Sequence, residues 1–122
     1  MSTLNLGDTN IFTDLGKIVE GTLLTNTYPM NVATNAYSLT LTKGIWLLVF
    51  TFRSDQASIS YRTFAGFTGN PSQVGGVTQD LVAINYKTVT SATETVYATI
   101  WPESYTFTWT SGSRKCFAVK IA

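Results

Sequence analysis

The sequence predicts an all-β fold, an antiparallel β-sandwich or jelly roll of about 8–10 short strands. Apolar and polar residues alternate with a period of two in several segments, and turn residues separate these segments at intervals of about 8–12 residues. Only 12% of the residues are charged, whereas 44% are hydrophobic. Ser and Thr fill much of the polar share, which suits the pleated surfaces of strands.

The most apolar stretch, Thr40–Arg53, is the segment around which the rest of the chain is predicted to be organised. As a strand, it is apolar on both faces. One face carries Ile45, Leu47 and Val49, and the other carries Trp46, Leu48, Phe50 and Phe52. A strand of this kind needs cover on both sides. We expect a second sheet to cover one face and another copy of the chain to cover the other.

At 122 residues the chain is predicted to be a single folding unit with a short lead-in. Residues 1–36 are interpreted as this lead-in, which contains a first strand at Thr22–Thr27 and either packs on the domain or joins a shaft upstream. Helix-like spacing around Ile18 allows one helical turn, but Gly16 and Gly21 argue against a longer helix. Residues 37–122 are predicted to form the jelly-roll head domain.

Turn signals divide the chain from residue 28 onward. We predict a break at Tyr28–Asn31, a bend or bulge at Lys43–Gly44 and a long loop at Ala65–Gln79. Four further turns or stops are predicted at Ser54–Gln56, Ser91–Thr93, Pro102–Ser104 and Ser111–Ser113. The strands expected between these signals are Tyr37–Thr42, Ala57–Phe64, Asp80–Thr90, Glu94–Trp101, Tyr105–Thr110 and Lys115–Ile121, in addition to the central run.

Composition argues against several classes of function. The net charge is +1, and Arg114-Lys115 is an isolated basic pair, so nucleic-acid binding is not expected. No run of 18 apolar residues and no classical signal sequence is present, so membrane insertion is not expected. The chain has no histidine, which excludes Ser-His-Asp and Cys-His catalysis and every His-based metal site. We therefore expect a non-enzymatic protein without a metal or cofactor.

The aromatic side chains near the end of the chain allow two interpretations. Trp101, Tyr105 and Trp109 cluster near one predicted turn, where they could stack on sugar rings or fill the core or a subunit interface. Core filling is the favoured interpretation. Three further aromatics precede or begin the long loop and are either loop anchors or exposed recognition residues. They are Tyr61, Phe64 and Phe67.

The remaining chemically distinctive residues favour structural roles. The acidic groupings do not have the spacing of a calcium loop or a catalytic carboxylate pair, and they are interpreted as surface charge. They are Asp8 with Asp14, Asp55, and Glu94 with Glu103. The single cysteine, Cys116, excludes an intrachain disulfide. It lies in an apolar strand pattern and is expected to be a buried small hydrophobic residue.

Residues 37–122 resemble the trimeric jelly-roll heads of the C1q and tumour-necrosis-factor type, particularly those of phage tail fibres and viral attachment proteins. Three segments carry the resemblance. The first is the L-x-L-x-x-G-x-W opening at Leu39–Val49, the second is the Thr-rich stretch before T-V-Y at Thr88–Ala98, and the third is the apolar terminal strand at Phe117–Ala122.

This resemblance implies a homotrimer whose terminal strand lies near the three-fold axis. It also implies a virion-surface protein that binds a host-surface receptor or glycan through several identical sites, with no enzyme activity and no cofactor. It assigns no ligand-binding residues. Two alternatives stay open: a structural virion component, such as a capsid decoration or vertex protein, and a monomeric carbohydrate-binding β-sandwich.

Overall fold

The computed structural model describes residues 15–54, 63–68, 70–73, 80–103 and 105–122. In these residues there are nine strands, and every strand pair is antiparallel. The strands are β1 (Ile18–Glu20), β2 (Thr22–Leu23), β3 (Thr27–Tyr28), β4 (Thr34–Ser54), β5 (Thr63–Phe67), β6 (Asn70–Gln73), β7 (Asp80–Pro102), β8 (Phe107–Thr108) and β9 (Gly112–Lys120). The predicted all-β antiparallel sandwich is therefore confirmed.

Two long strands, β4 and β7, form a ribbon that runs through the whole sheet. They pair from Thr34 opposite Ile100 to Arg53 opposite Asp80. The register shifts between Thr42 and Gly44, whose partners are Thr93 and Val89. Three residues of β7 therefore lie opposite one residue of β4. This extra length on one strand bends the ribbon and lets its two halves turn toward each other.

The two halves of the ribbon belong to two packed layers. The front layer contains β1, β9, residues 44–54 of β4 and residues 80–89 of β7. The back layer contains β2, residues 34–42 of β4, residues 93–102 of β7, β5 and β6.

Aromatic contacts join the layers. Phe50 of the front layer meets Tyr37 and Phe67 of the back layer, with ring centroids 5.7 and 6.5 Å apart.

Inward-facing residues of both layers form one apolar core. Trp46, Phe50 and Leu39 are fully buried there. The small inward residues Cys116 and Ala118 of β9 lie beside Phe50 and Leu48, and their size permits close approach of the back layer. Cys116 is therefore the buried small residue that the sequence predicts.

The bend itself is supported by hydrogen bonds. The indole N–H of Trp46 donates to the Thr42 carbonyl oxygen over 2.8 Å. The amide of Ile45 donates to the carbonyl oxygen of Ala122 over 2.9 Å, and the amide of Ile121 donates back to Ile45 over 2.8 Å. The end of the chain thus fixes the start of the front half of β4.

The N-terminal strands cross from one layer to the other. β1 pairs with β9 in the front layer, and β2 pairs with β4 in the back layer. Gly21 lies between them, and its amide donates to the carbonyl oxygen of Cys116 over 2.7 Å. A Cβ at Gly21 would lie 3.0 Å from the Cys116 sulfur, so a larger residue would crowd this crossing.

The structure corrects several predicted boundaries. Ile18–Glu20 is a strand, so no helical turn forms there, while residues 1–14 lie outside the described part of the chain. The predicted strand Thr22–Thr27 is two short strands, β2 and β3. The predicted strand Tyr105–Thr110 retains strand pairing only at Phe107–Thr108, opposite β3. The predicted turn at Ser111–Ser113 is wrong from Gly112 onward, because β9 begins there.

The predicted turn at Ser91–Thr93 is wrong, because β7 continues through it. Both sides of this segment pair with β4 in the same direction, so the chain bends without reversing. The predicted loop Ala65–Gln79 is wrong at two places, since β5 extends to Phe67 and β6 occupies Asn70–Gln73. The predicted break after Tyr28 and the bend at Lys43–Gly44 are confirmed.

Other predictions lie outside the described residues. These are the turn beyond Ser54 and most of the strand Ala57–Phe64. The division of the chain at residues 36 and 37 stays a prediction.

Replacing Gly44 by alanine is expected to destabilise the fold. Gly44 has a φ of 144°, and a Cβ would lie 2.6 Å from Cε of Lys120 and 2.8 Å from the carbonyl oxygen of Ala122. Gly16 also has a positive φ, 80°, but a Cβ there would meet nothing within 4 Å. We expect Gly44→Ala to lower the free energy of unfolding by about 1–3 kcal/mol more than the control Gly16→Ala. Urea unfolding at constant m-value measures this difference. Equal losses would show that the contact with the chain end does not constrain the bend.

Candidate functional site

The outward surface of the front layer is an apolar patch, here called the open face. Its residues come from four neighbouring strands. They are Ile18 of β1, Phe117 and Val119 of β9, Leu47 and Val49 of β4, and Val82, Ile84 and Tyr86 of β7.

Strand register makes the open face continuous. One row of cross-strand partners runs Ile18, Val119, Leu47 and Tyr86, and the next runs Glu20, Phe117, Val49 and Ile84, so Glu20 borders the apolar residues at β1. Neighbouring strands lie about 4.8 Å apart, so side chains within a row touch. Ile18, Ile84 and Tyr86 are 60, 62 and 66% exposed. Soluble monomers rarely leave so many adjacent apolar side chains in water.

The outward surface of the back layer is chemically different. Thr40 and Thr95 are exposed there, and their hydroxyl groups are hydrogen-bonded to each other over 3.3 Å. This polar surface is suited to water, whereas the open face is suited to another apolar surface. The two-sided apolar character of the central run is thus resolved into a core face and an open face.

A second feature, here called the side cleft, lies where the chain crosses from β1 to β2. It has a volume of about 460 Å³ and is lined by residues that include Glu20, Tyr37, Arg114, Lys115 and Cys116. Ligand sites in proteins usually fall between about 300 and 1,000 Å³. The side cleft is therefore large enough for a small organic ligand.

Arg114 is held in a defined position at this cleft. Its guanidinium carbon lies 3.5 Å from the ring centroid of Trp109, and its Nη1 donates to Oδ1 of Asn26 over 2.6 Å. The indole N–H of Trp109 in turn donates to the Arg53 carbonyl oxygen over 2.9 Å. Within the described residues, the partners of Arg114 are aromatic or amide groups, not carboxylates.

The phenols near Arg114 are neutral at physiological pH. Burial raises the pKa of Tyr28, while the positive charge and hydrogen bonding of Arg114 oppose this rise. Burial likewise raises the pKa of Tyr37, again opposed by Arg114. The positive charge of Arg114 is therefore not neutralised by these two neighbours.

A smaller cleft of about 270 Å³ lies beside the 80–89 half of β7. Its polar rim includes Lys87 and Glu94, whose Nζ and Oε2 atoms are 2.7 Å apart. These two charges neutralise each other across the bulged segment of β7. The cleft therefore offers less unpaired charge to a ligand than the side cleft does.

The predicted aromatic cluster does not form one flat platform. Trp101 stacks on Phe64 with ring centroids 5.0 Å apart, on the back layer. Tyr105 and Trp109 pack against the core, and the Tyr105 hydroxyl is hydrogen-bonded to Thr63. This arrangement favours the core-filling interpretation for Tyr105 and Trp109.

The loop aromatics are anchors where the structure describes them. Phe67 is buried in the core, and Phe64 is half-buried against Trp101. Tyr61 lies outside the described residues, as do Asp8, Asp14 and Asp55.

Sequence reasoning treated Arg114 only as half of an isolated basic pair. Its position in the period-two pattern with Cys116 and Ala118 could have shown that it faces inward.

The acidic residues and the cysteine agree with structural roles. Glu94 is paired with Lys87, and Glu103 is half-buried. No group of three His, Cys, Asp or Glu residues that could hold a metal ion occurs in the described ranges. Cys116 is 5% exposed, and burial raises the pKa of its thiol to about 12. A protonated, buried thiol behaves as a small apolar group.

Comparison with known proteins does not identify a family. No protein-family model matches the chain, and no curated protein matches it either. Within the part of the chain that the structure describes, no helix has the length and apolar character needed to cross a membrane.

Alkaline pH is expected to destabilise the protein through Cys116. Its ordinary pKa of 9.0 is raised to about 12 on folding, so only the unfolded thiol ionises between these values. The stabilisation is complete below pH 9 and is lost as pH rises toward 12, by about 1.4 kcal/mol per pH unit for this group. We expect Cys116→Ala to reduce the slope of unfolding free energy against pH between 9 and 10. Urea unfolding across this range measures it, and an unchanged slope would exclude a role for the thiol.

Proposed function

We propose that the chain is a non-enzymatic attachment module of a virus or phage, which assembles as a homotrimer and binds a host-surface ligand. The observation that carries the proposal is the open face. An apolar surface spanning four strands needs a partner, and in a closed three-fold assembly each copy packs its open face against a different surface of the next copy.

The number of copies comes from the resemblance of residues 37–122 to trimeric C1q-like and tumour-necrosis-factor-like heads. In those heads the terminal strand lies near the three-fold axis. Here the terminal strand β9 lies in the front layer and contributes Phe117 and Val119 to the open face. The part of the chain expected at a trimer axis thus carries the surface that needs cover.

A trimer would bind its ligand through three identical sites. Once one site is occupied, the other two search a small volume, so the apparent affinity exceeds that of one site by about 10²–10⁴-fold. The absence of histidine and the lack of a catalytic grouping among the candidate residues are compatible with binding as the whole function.

Disrupting the open face is expected to weaken surface binding without unfolding the subunit. Ile84→Lys places a charge on the open face, at a residue that is 62% exposed, whereas Val32→Lys places one at an apolar residue outside it that is 49% exposed. On an array of bacterial and animal surface glycans, we expect specific retention of the unmodified chain and of Val32→Lys. Retention of Ile84→Lys should fall by about 10²-fold, because avidity is lost.

Two results would contradict this proposal. The first is that no glycan on the array retains the unmodified chain. If the chain then binds only to assembled capsids, it is a structural virion component instead. The other is equal retention of Ile84→Lys and the unmodified chain, which would show that assembly through the open face does not contribute to binding.

A further inference from the structure

The side cleft contains a positive charge that the described protein groups leave without a counter-charge. Arg114 faces inward beside Phe52, its register partner in β4, at the margin between the two layers. A charged side chain in such a position usually pairs with a carboxylate. The contacts of Arg114 are instead the Trp109 ring, the Asn26 side-chain oxygen and the Tyr28 hydroxyl group.

These contacts orient the Arg114 side chain without using all the N–H donors of its guanidinium group. The Trp109 ring covers one flat side of the guanidinium, Asn26 accepts a hydrogen bond from its Nη1, and Tyr28 is also hydrogen-bonded to it. A guanidinium has further in-plane N–H donors, arranged as a fork that matches the two oxygens of a carboxylate. Because the side chain is already held in place, little rotamer entropy is lost when an anion binds.

The other lining residues restrict the kind of anion. Lys115 adds a second positive charge, and it is exposed at the same cleft. Glu20 also lines the cleft, and its carboxylate would repel a simple anion but accept hydrogen bonds from hydroxyl groups. Phe117 supplies apolar surface. A ligand with one carboxylate, several hydroxyl groups and an apolar ring face matches all of these groups.

We propose that the side cleft binds an acidic saccharide, with the ligand carboxylate on Arg114, ligand hydroxyl groups on Glu20 and the exposed positive charge of Lys115 at the rim, on the other side of β9 from Arg114. This inference deepens the proposed function, on which it rests in taking the saccharide to belong to a host surface. Binding to the cleft itself requires one subunit only.

The test is titration with defined sugars, followed at the side-chain Nε–H of Arg114 by NMR. Methyl glucuronide is the acidic probe, methyl glucoside is the matched neutral sugar, and acetate is the simple anion. We expect the chemical shift of the Arg114 Nε–H to change saturably with the glucuronide. The glucoside lacks the carboxylate and acetate lacks the hydroxyl groups and the ring, so each should bind at least about 10-fold more weakly.

Two variants and a control variant test whether the glucuronide binds in the side cleft. Arg114→Gln removes the fork, and Lys115→Glu reverses an exposed charge at the rim without disturbing the core. Lys43→Gln removes an exposed positive charge outside the cleft. Glucuronide binding, followed for all variants by calorimetry, should weaken at least about 10-fold in the first two and stay unchanged in the third. If Arg114→Gln fails to fold, Lys115→Glu still decides the question.

Three results would overturn the inference: equal binding of glucuronide and glucoside, equal binding of glucuronide and acetate, or undiminished binding in both cleft variants. Its failure can be separated from failure of the proposed function. The Ile84→Lys variant should keep glucuronide affinity per subunit while losing retention on the glycan array. Array retention of neutral glycans alone would support attachment but contradict the acidic-saccharide site.

Discussion

The antiparallel pairing of β4 with β7 is the constraint on which the rest of the structure depends. It is continuous from Thr34 to Arg53 except for two register shifts, and the larger shift bends the ribbon at Lys43–Gly44. Bending brings Tyr37 against Phe50, so one ribbon supplies both layers of the sandwich. The same bend directs Trp46 and Phe50 into the core and leaves Leu47 and Val49 on the outside. The core and the open face are therefore two consequences of one pairing.

The two candidate binding features follow from how the remaining strands attach to this ribbon. β9 pairs along the front half of β4 and widens the open face with Phe117 and Val119. The crossing of the chain at Gly21 closes over Cys116 but leaves the side cleft beside Arg114. The open face is apolar and extended, which suits a protein surface. The side cleft is concave and carries charges of both signs, which suits a small polar ligand.

The residue pattern predicted which segments are strands better than it predicted how these strands are connected. Period-two alternation identified the strand character of the 37–42, 80–90 and 115–121 segments, because alternation is a local property. Of the two apolar faces of Thr40–Arg53, one packs against the second layer as predicted, and cover of the other by another copy of the chain stays a prediction.

The small polar residues at Ser91–Thr93 predicted a turn that does not form. Small polar residues suit a wide bulge within a strand as well as they suit a reversal, and only pairing with β4 distinguishes the two. Arg114 was missed because its partners, Asn26 and Trp109, are distant from one another in sequence and meet only in the fold.

The mass of the protein in solution, measured by light scattering after size exclusion, tests most directly whether the open face is covered by other copies of the chain. We expect a species of three subunits of 13.3 kDa each, roughly 40 kDa in total, that persists at micromolar concentration. A stable 13.3 kDa monomer at that concentration would contradict it. The open face would then be compatible with water, and the argument for an assembled attachment head would lose its basis.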